Sequence, residues 1–207
     1  MKISNIKKSK YFSFYYCIIL DEENNFIISE NLINKLKLHF GQEIDETVYQ
    51  KIKKNEFAIL QKYSTRYFKK FKSSIATFEK KLIIRNFSKE NINNIIEWLK
   101  KEELLNDREY CLNVILDLIN SSKYSRKELE HKLKQRKLNT DIIKEYLEKF
   151  YTDENEIETI KSLKNKLEKK YKEYKKILQY LLSKGFTYSN IKKSFELDKN
   201  RFESAEC

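Results

Sequence analysis

A ladder of five large apolar residues recurs three times, and that repetition constrains the fold more than any other feature of the chain. In the first copy the rungs are Phe78, Leu82, Phe87, Ile92 and Ile96. The second copy, 51 residues on, is Leu129, Leu133, Leu138, Ile143 and Leu147. A further 48 residues on stand Ile177, Leu181, Phe186, Ile191 and Phe195. Every rung is apolar in a chain that is only 40% hydrophobic, so chance is a poor explanation. A repeat of this length marks tandem supersecondary units.

The spacing inside the ladder defines the unit. The first and last steps are four residues, which places each pair on one helical face. The middle step crosses a break at Ser88, Asn139 and Thr187. Each of these can cap a helix, because its side-chain oxygen accepts from an unpaired backbone N–H. Phe87, Leu138 and Phe186 precede the caps, and Ile92, Ile143 and Ile191 follow four residues later, the geometry of a hydrophobic staple. Each copy therefore reads as helix, tight corner, helix. The preceding helix starts less uniformly: Ser125 with Glu128 is a full capping box, Ser74 with Thr77 a weaker one, and Glu173 brings no hydroxyl.

Two glycines, Gly41 and Gly185, and no proline in 207 residues leave few helix breakers. Residues 1–30 are the exception. Residues 11–20 are aromatic and β-branched, the polar run 21–25 follows, and Phe26, Ile27 and Ile28 come next, which reads as a β-hairpin. Residues 2–6 are a candidate third strand. So small a sheet must pack on the helices beside it. Leu32, Ile33, Leu36 and Leu38 then predict a short helix stopping near Gly41. Residues 45–53 predict another, and residues 57–71 a longer one that opens the first repeat. Asn106 and Asp107 are placed to cap the first helix of the second. In the third repeat no breaker separates Leu167 from Leu181, so that stretch reads as two helices or as one fused helix. The expected fold is mainly α: three tandem three-helix repeats in an elongated arc, preceded by a small β-hairpin and α segment. The expected boundaries are 1–55, 56–104, 105–152, 153–199 and a tail at 200–207.

Charge is distributed unevenly. The net charge is +12, yet residues 51–101 hold 14 basic against 4 acidic residues, whereas 102–160 hold 10 against 14. Residues 161–207 are basic again. The first segment interleaves cations with aromatics, from Lys62 through Tyr63, Arg66, Tyr67, Lys69, Lys70 and Phe71 to Lys72. Lys80, Lys81 and Arg85 follow. Such a cluster is the electrostatic footprint expected of a nucleic-acid partner; solvated lysines over core-facing aromatics are the plainer reading. Arg85, Arg136 and Lys184 recur late in the middle helix of each copy, where a cation also favours the helix C-terminus.

Other chemistries lack their residues. Two isolated glycines cannot build a phosphate-cradling loop. Only His39 and His131 exist, and no histidine or cysteine pair has metal-ligand spacing, so neither metal nor cofactor is expected. His131 lies off the apolar stripe. Cys17 and Cys111 read as small buried hydrophobes and Trp98 as a core residue. No apolar run is long enough to span a bilayer and no secretion signal is evident, so a cytoplasmic protein is expected.

Three segments together resemble the RecX regulators of the RecA recombinase. Ser125-x-x-Glu128-Leu129-x3-Leu133 resembles that family's middle-helix motif. Leu105-Asn-Asp107-x2-Tyr110 resembles its inter-repeat junction, and Lys184-Gly-Phe-Thr-Tyr-Ser-Asn-Ile191 its closing motif. The resemblance covers residues 57–197; Thr77 departs from it where glutamate is usual, as does lysine where arginine is. It implies a non-enzymatic modulator, with no catalytic residue, that docks along the RecA–single-stranded-DNA filament and inhibits recombination, ATPase and coprotease activity in DNA repair and the SOS response. The expected partners are that filament and single- or double-stranded DNA, with no membrane involved and the chain acting as a monomer. The expected contact residues are Arg66, Lys69, Lys70, Lys72, Lys80, Lys81 and Arg85, with Lys192 and Lys193 as a second patch. The alternatives are a helical array that binds nucleic acid through helix-turn-helix-like corners, and a scaffold with no nucleic-acid role. Against the former, the helices at residues 88–99 and 139–150 carry many acids and few groups suited to base edges.

Overall fold

The computed structural model describes residues 1–195, so the tail expected at 200–207 lies outside the described residues. The chain divides into two compact units, Met1–Asn106 and Asp107–Cys207.

The first unit opens with three antiparallel strands, β1 (Ile3–Lys8), β2 (Tyr15–Leu20) and β3 (Asn24–Ser29), in that spatial order. The expected hairpin is therefore present, although its first strand begins at Tyr15 rather than at residue 11, and residues 3–8 supply the third strand. Asp21 and Glu22 both have positive φ, and the Glu23 N–H donates to the Leu20 carbonyl, the pattern of a tight hairpin turn. Left-handed backbone is costly for such residues, and contacts to the first strand offset it. The Lys2 N–H donates to the Asp21 carboxylate at 2.7 Å and the Glu22 N–H to Ser4 Oγ at 3.0 Å.

Both faces of the sheet are covered, which is why β2 is continuously apolar rather than alternating. Cys17 and Ile27 point into the core of the first helical repeat. Ile18, Leu20, Phe26 and Ile28 point the other way, into a core shared with Leu38, Ile44 and Ile52. The covering helix α1 (Glu30–Leu36) ends at Lys37, itself left-handed at φ 50°. Gly41 is not its terminator, as the sequence suggested. At φ +80° it belongs to a turn whose N–H donates to the Ile3 carbonyl, seating the segment against β1.

Helix α2 runs unbroken over Glu46–Phe68, where two helices were expected. The residues between the two expected helices are where α2 crosses the edge of the sheet. Asn55 accepts the Ser29 N–H at 3.0 Å, Glu56 accepts the Ile27 N–H at 2.7 Å, and Lys53 pairs with Glu90. Helix α2 thus spans two cores, with Ile52 in one and Leu60 and Phe68 in the other. Helices α3 (Ile75–Ile84) and α4 (Lys89–Lys101) complete the repeat, the latter packing on α2 and α3.

The second unit is helical throughout its described residues. One bundle is α5 (Asp107–Asn120), α6 (Arg126–Gln135) and α7 (Thr140–Phe150). The other is α8 (Asp153–Lys170), α9 (Tyr174–Lys184) and α10 (Tyr188–Phe195). Helices α8 and α9 are not fused. The break falls at Tyr171, which is extended, and its ring packs on Tyr180 of α9 with centroids 5.9 Å apart. An aromatic contact turns the chain there, with no glycine or proline to announce it. All fifteen ladder residues are buried, one set in each of three separate cores. Ser88 and Asn139 cap α4 and α7, and Thr187 Oγ1 accepts the Asn190 N–H at the start of α10. His131 is exposed, while Trp98 is half-buried against the first repeat's core.

Candidate functional site

The cationic surface of the first unit arises where α2 ends and α3 begins. From residue 57 to residue 78 the chain has no carboxylate. Arg66, Lys69, Lys70, Lys72 and Lys80 are exposed. Among the described residues none of them makes an ion pair within 4.0 Å. The aromatics between them turn inward. Tyr63 stacks on Tyr67 and Phe78, and Phe68 packs on Phe78 with centroids 4.7 Å apart. Phe71 is the outlier, 57% exposed.

Lys81 and Arg85 stand differently. Lys81 is half-buried, its Nζ 4.3 Å from the centre of the Tyr67 ring. The Arg85 guanidinium lies between the rings of Tyr11 and Tyr63, at 5.3 and 5.5 Å, and donates to the Lys81 carbonyl at 3.2 Å. Arg136 makes the same bond to the Lys132 carbonyl at 3.1 Å, so these cations also finish a helix. Lys192 and Lys193 are exposed on α10, in the second unit. There Glu154 is held below the usual carboxylate range, first by the Thr152 hydroxyl and more weakly by the charge of Lys193.

Two buried carboxylates escaped the sequence reading. Glu56 is fully buried, with the Ile27 and Ser88 N–H groups donating to one oxygen and the Ser88 hydroxyl and Asn91 amide to the other. Burial pushes its carboxyl up to about 7, against the lowering effect of those donors. Glu156 holds the equivalent place in the last repeat, accepting from Thr187 Oγ1 at 2.8 Å and from the Asn190 amide. In each case a buried acid on the repeat's first helix holds the cap of its third. The signal was available, since Glu56 lies four residues from both Ile52 and Leu60, and Glu156 four from Ile160.

Within the second unit, Ser125 at the start of α6 and Lys184 at the end of α9 meet. The Ser125 hydroxyl donates to the Lys184 carbonyl at 2.6 Å, and Lys184 Nζ donates to Glu128 at 2.6 Å. Gly185, at φ +88°, lies so close to Lys127 that an added Cβ would stand 2.8 Å from that residue's own Cβ. Two of the three segments that carry the family resemblance thus pack on each other. Among the described residues no cluster of acids, histidines or cysteines could hold a metal, and no helix is long and apolar enough to cross a membrane.

No protein-family model matches the chain. It is 30% identical over 204 residues to the regulatory protein RecX of Streptococcus sanguinis, an alignment covering 95% of this chain and 76% of that one. The chain belongs to the RecX family of regulatory proteins. A RecX regulatory protein of Finegoldia magna is 30% identical over 199 residues, covering 91% of this chain and 93% of the relative. A solved structure of a regulatory protein RecX superposes with a TM-score of 0.63 at 25% identity, covering 96% of this chain. RecX from Lactobacillus salivarius gives the same score and identity over 70% of it. The first of these superpositions takes in the N-terminal segment of this chain as well as its helices.

Proposed function

We propose that this RecX-family chain is a cytoplasmic, non-enzymatic regulator of the RecA recombinase that binds along the RecA–single-stranded-DNA filament and inhibits its recombination, ATPase and coprotease activities. The observation that carries the reading is the unpaired cationic surface from Arg66 to Lys80, in a chain whose family is regulatory. A surface of lysines with few carboxylates neutralises phosphates and releases their counterions, which gives affinity without sequence preference. The repeats at 56–104, 105–152 and 153–199 would then serve as three successive contact modules, with Arg85, Lys192 and Lys193 adding to the contact.

The experiment replaces Lys69, Lys72, Lys80 and Lys81 with Ala and follows RecA-driven ATP hydrolysis and strand exchange. The variant is expected to stay folded, to lose inhibition, and to recover it at lower salt. For direct DNA binding, each lost phosphate contact lowers the salt slope by about 0.7–0.9. The control changes Lys132 and Lys134 in the acidic middle repeat. Equal losses from the two variants would mean diffuse attraction only, and no loss from the first would place the contact elsewhere.

A further inference from the structure

We propose that the connection between β1 and β2 is a stacking platform for unpaired bases of a single-stranded nucleic acid, built from Tyr11 and Phe14 and joined to the cationic surface through Arg85. The proposal rests on the nucleic-acid reading above and adds a base-contacting element to a surface that otherwise offers only charge. Phe14 is 75% exposed and Tyr11 47% exposed, two aromatics held in water within one short loop. Among the described residues Phe14 has no ring partner, and its backbone is left-handed at φ 65°, an unfavourable conformation for a bulky residue.

The loop is nonetheless anchored. The Ser9 N–H donates to the Tyr15 carbonyl at 2.9 Å, and the Glu30 N–H donates to the Phe14 carbonyl at 3.3 Å. Between the two exposed rings, Phe12 points inward against Tyr15, Tyr63 and Phe87, with centroids 5.5–6.1 Å away. A hydrophobic pin therefore fixes the loop to the repeat, while its neighbours on either side face out.

The surroundings favour a polyanion. Residues 1–20 hold four lysines and no carboxylate, and Lys7, Lys8 and Lys10 are exposed. Glu30, the acid nearest in the hydrogen-bond pattern, is engaged by the Tyr16 hydroxyl at 3.1 Å. Arg85 lies against the Tyr11 ring on the side of α3. Cations tracking the backbone beside aromatic faces that take bases are the two elements of single-strand recognition. A duplex, with its bases already stacked on one another, could use only the cations.

The test measures binding of the full-length protein to a labelled thymidine homo-oligonucleotide, to an abasic strand of equal length, and to a duplex. Wild type is expected to bind the thymidine strand more tightly than the abasic one. Tyr11→Ala and Phe14→Ala are each expected to weaken thymidine binding by roughly five- to hundredfold. Binding to the abasic strand and the salt slope should stay as in wild type. Phe14→Trp should restore affinity, and its indole emission should be quenched as the oligonucleotide binds. Equal wild-type affinity for the thymidine and abasic strands, or alanine variants that bind thymidine like wild type, would overturn the platform and leave the cationic surface standing. Losing abasic binding as steeply as thymidine binding would overturn it too. No salt-dependent binding of any strand would overturn both readings.

Discussion

Lys184 meets Glu128 across the two helical bundles of the second unit, its ammonium 2.6 Å from the carboxylate while its own carbonyl accepts the Ser125 hydroxyl. The two bonds differ in worth. The ion pair is partly exposed, with 37% and 23% of the two side chains accessible, and contributes less than about 1 kcal/mol. The Ser125 hydroxyl also accepts the Glu128 N–H as helix cap. Ser125→Ala is expected to cost about 2 kcal/mol, the sum of a lost cap and a lost hydrogen bond, and Lys184→Met less than half of that. Urea unfolding of the two variants decides, and the reverse order would make the charge the anchor.

Gly185 and Gly41 are both left-handed but differ in their surroundings. Nothing lies within 4 Å of a Cβ built on Gly41, whereas one on Gly185 would strike Lys127. Both glycine-to-alanine changes carry the backbone cost of about 1–2 kcal/mol. Only Gly185→Ala should cost more, because α6 and α9 must separate. Equal shifts in unfolding midpoint would show that the contact yields easily.

Glu56 predicts a pH dependence of definite sign. Its folded-state carboxyl is raised from 4.5 to about 7, so between those values the folded chain binds the proton that the unfolded chain has released. Stability from this group is full below the unfolded value and falls as pH rises through about 7. Urea unfolding at pH 5 and pH 8 should therefore show wild type losing more stability with rising pH than Glu56→Gln, which keeps an acceptor and has no charge to bury. Parallel losses would place the proton elsewhere.

The ladder gives the plainest contrast. Leu133 is fully buried and His131, two residues away, is exposed. Leu133→Ala is expected to destabilise by about 2–5 kcal/mol. His131→Ala should change stability by less than about 0.5 kcal/mol, as read by thermal or urea unfolding.

The features legible in the sequence were those written as periodicity. Ladder rungs four apart, caps at Ser88, Asn139 and Thr187, and the capping box at Ser125 each follow from local geometry, and they gave the repeats and their corners. The gap left between the helices expected at 45–53 and 57–71 has a physical explanation. Asn55 and Glu56 face the unpaired edge of β3, a surface that exists only after the sheet has folded. The end of α8 at Tyr171 likewise goes with a ring on the next helix, Tyr180, a contact that no local periodicity reveals. The cationic segment was visible as composition. Which lysines stand free and which, like Lys81, lie over a ring needed coordinates.

Glu56 draws its donors from β3 on one side and from the start of α4 on the other, residues 29 and 32 positions distant. Strand edge and helix cap therefore share one acceptor, and neither can open without leaving the other's N–H facing a broken site. The amides of Ile27 and Ser88 should exchange with solvent as a single cooperative event. A chain severed at residue 55, the expected end of the N-terminal segment, would divide α2 within its length and separate the sheet from the carboxylate that closes its edge. Grafting the N-terminal sheet onto another helical array would therefore require carrying α2 with it.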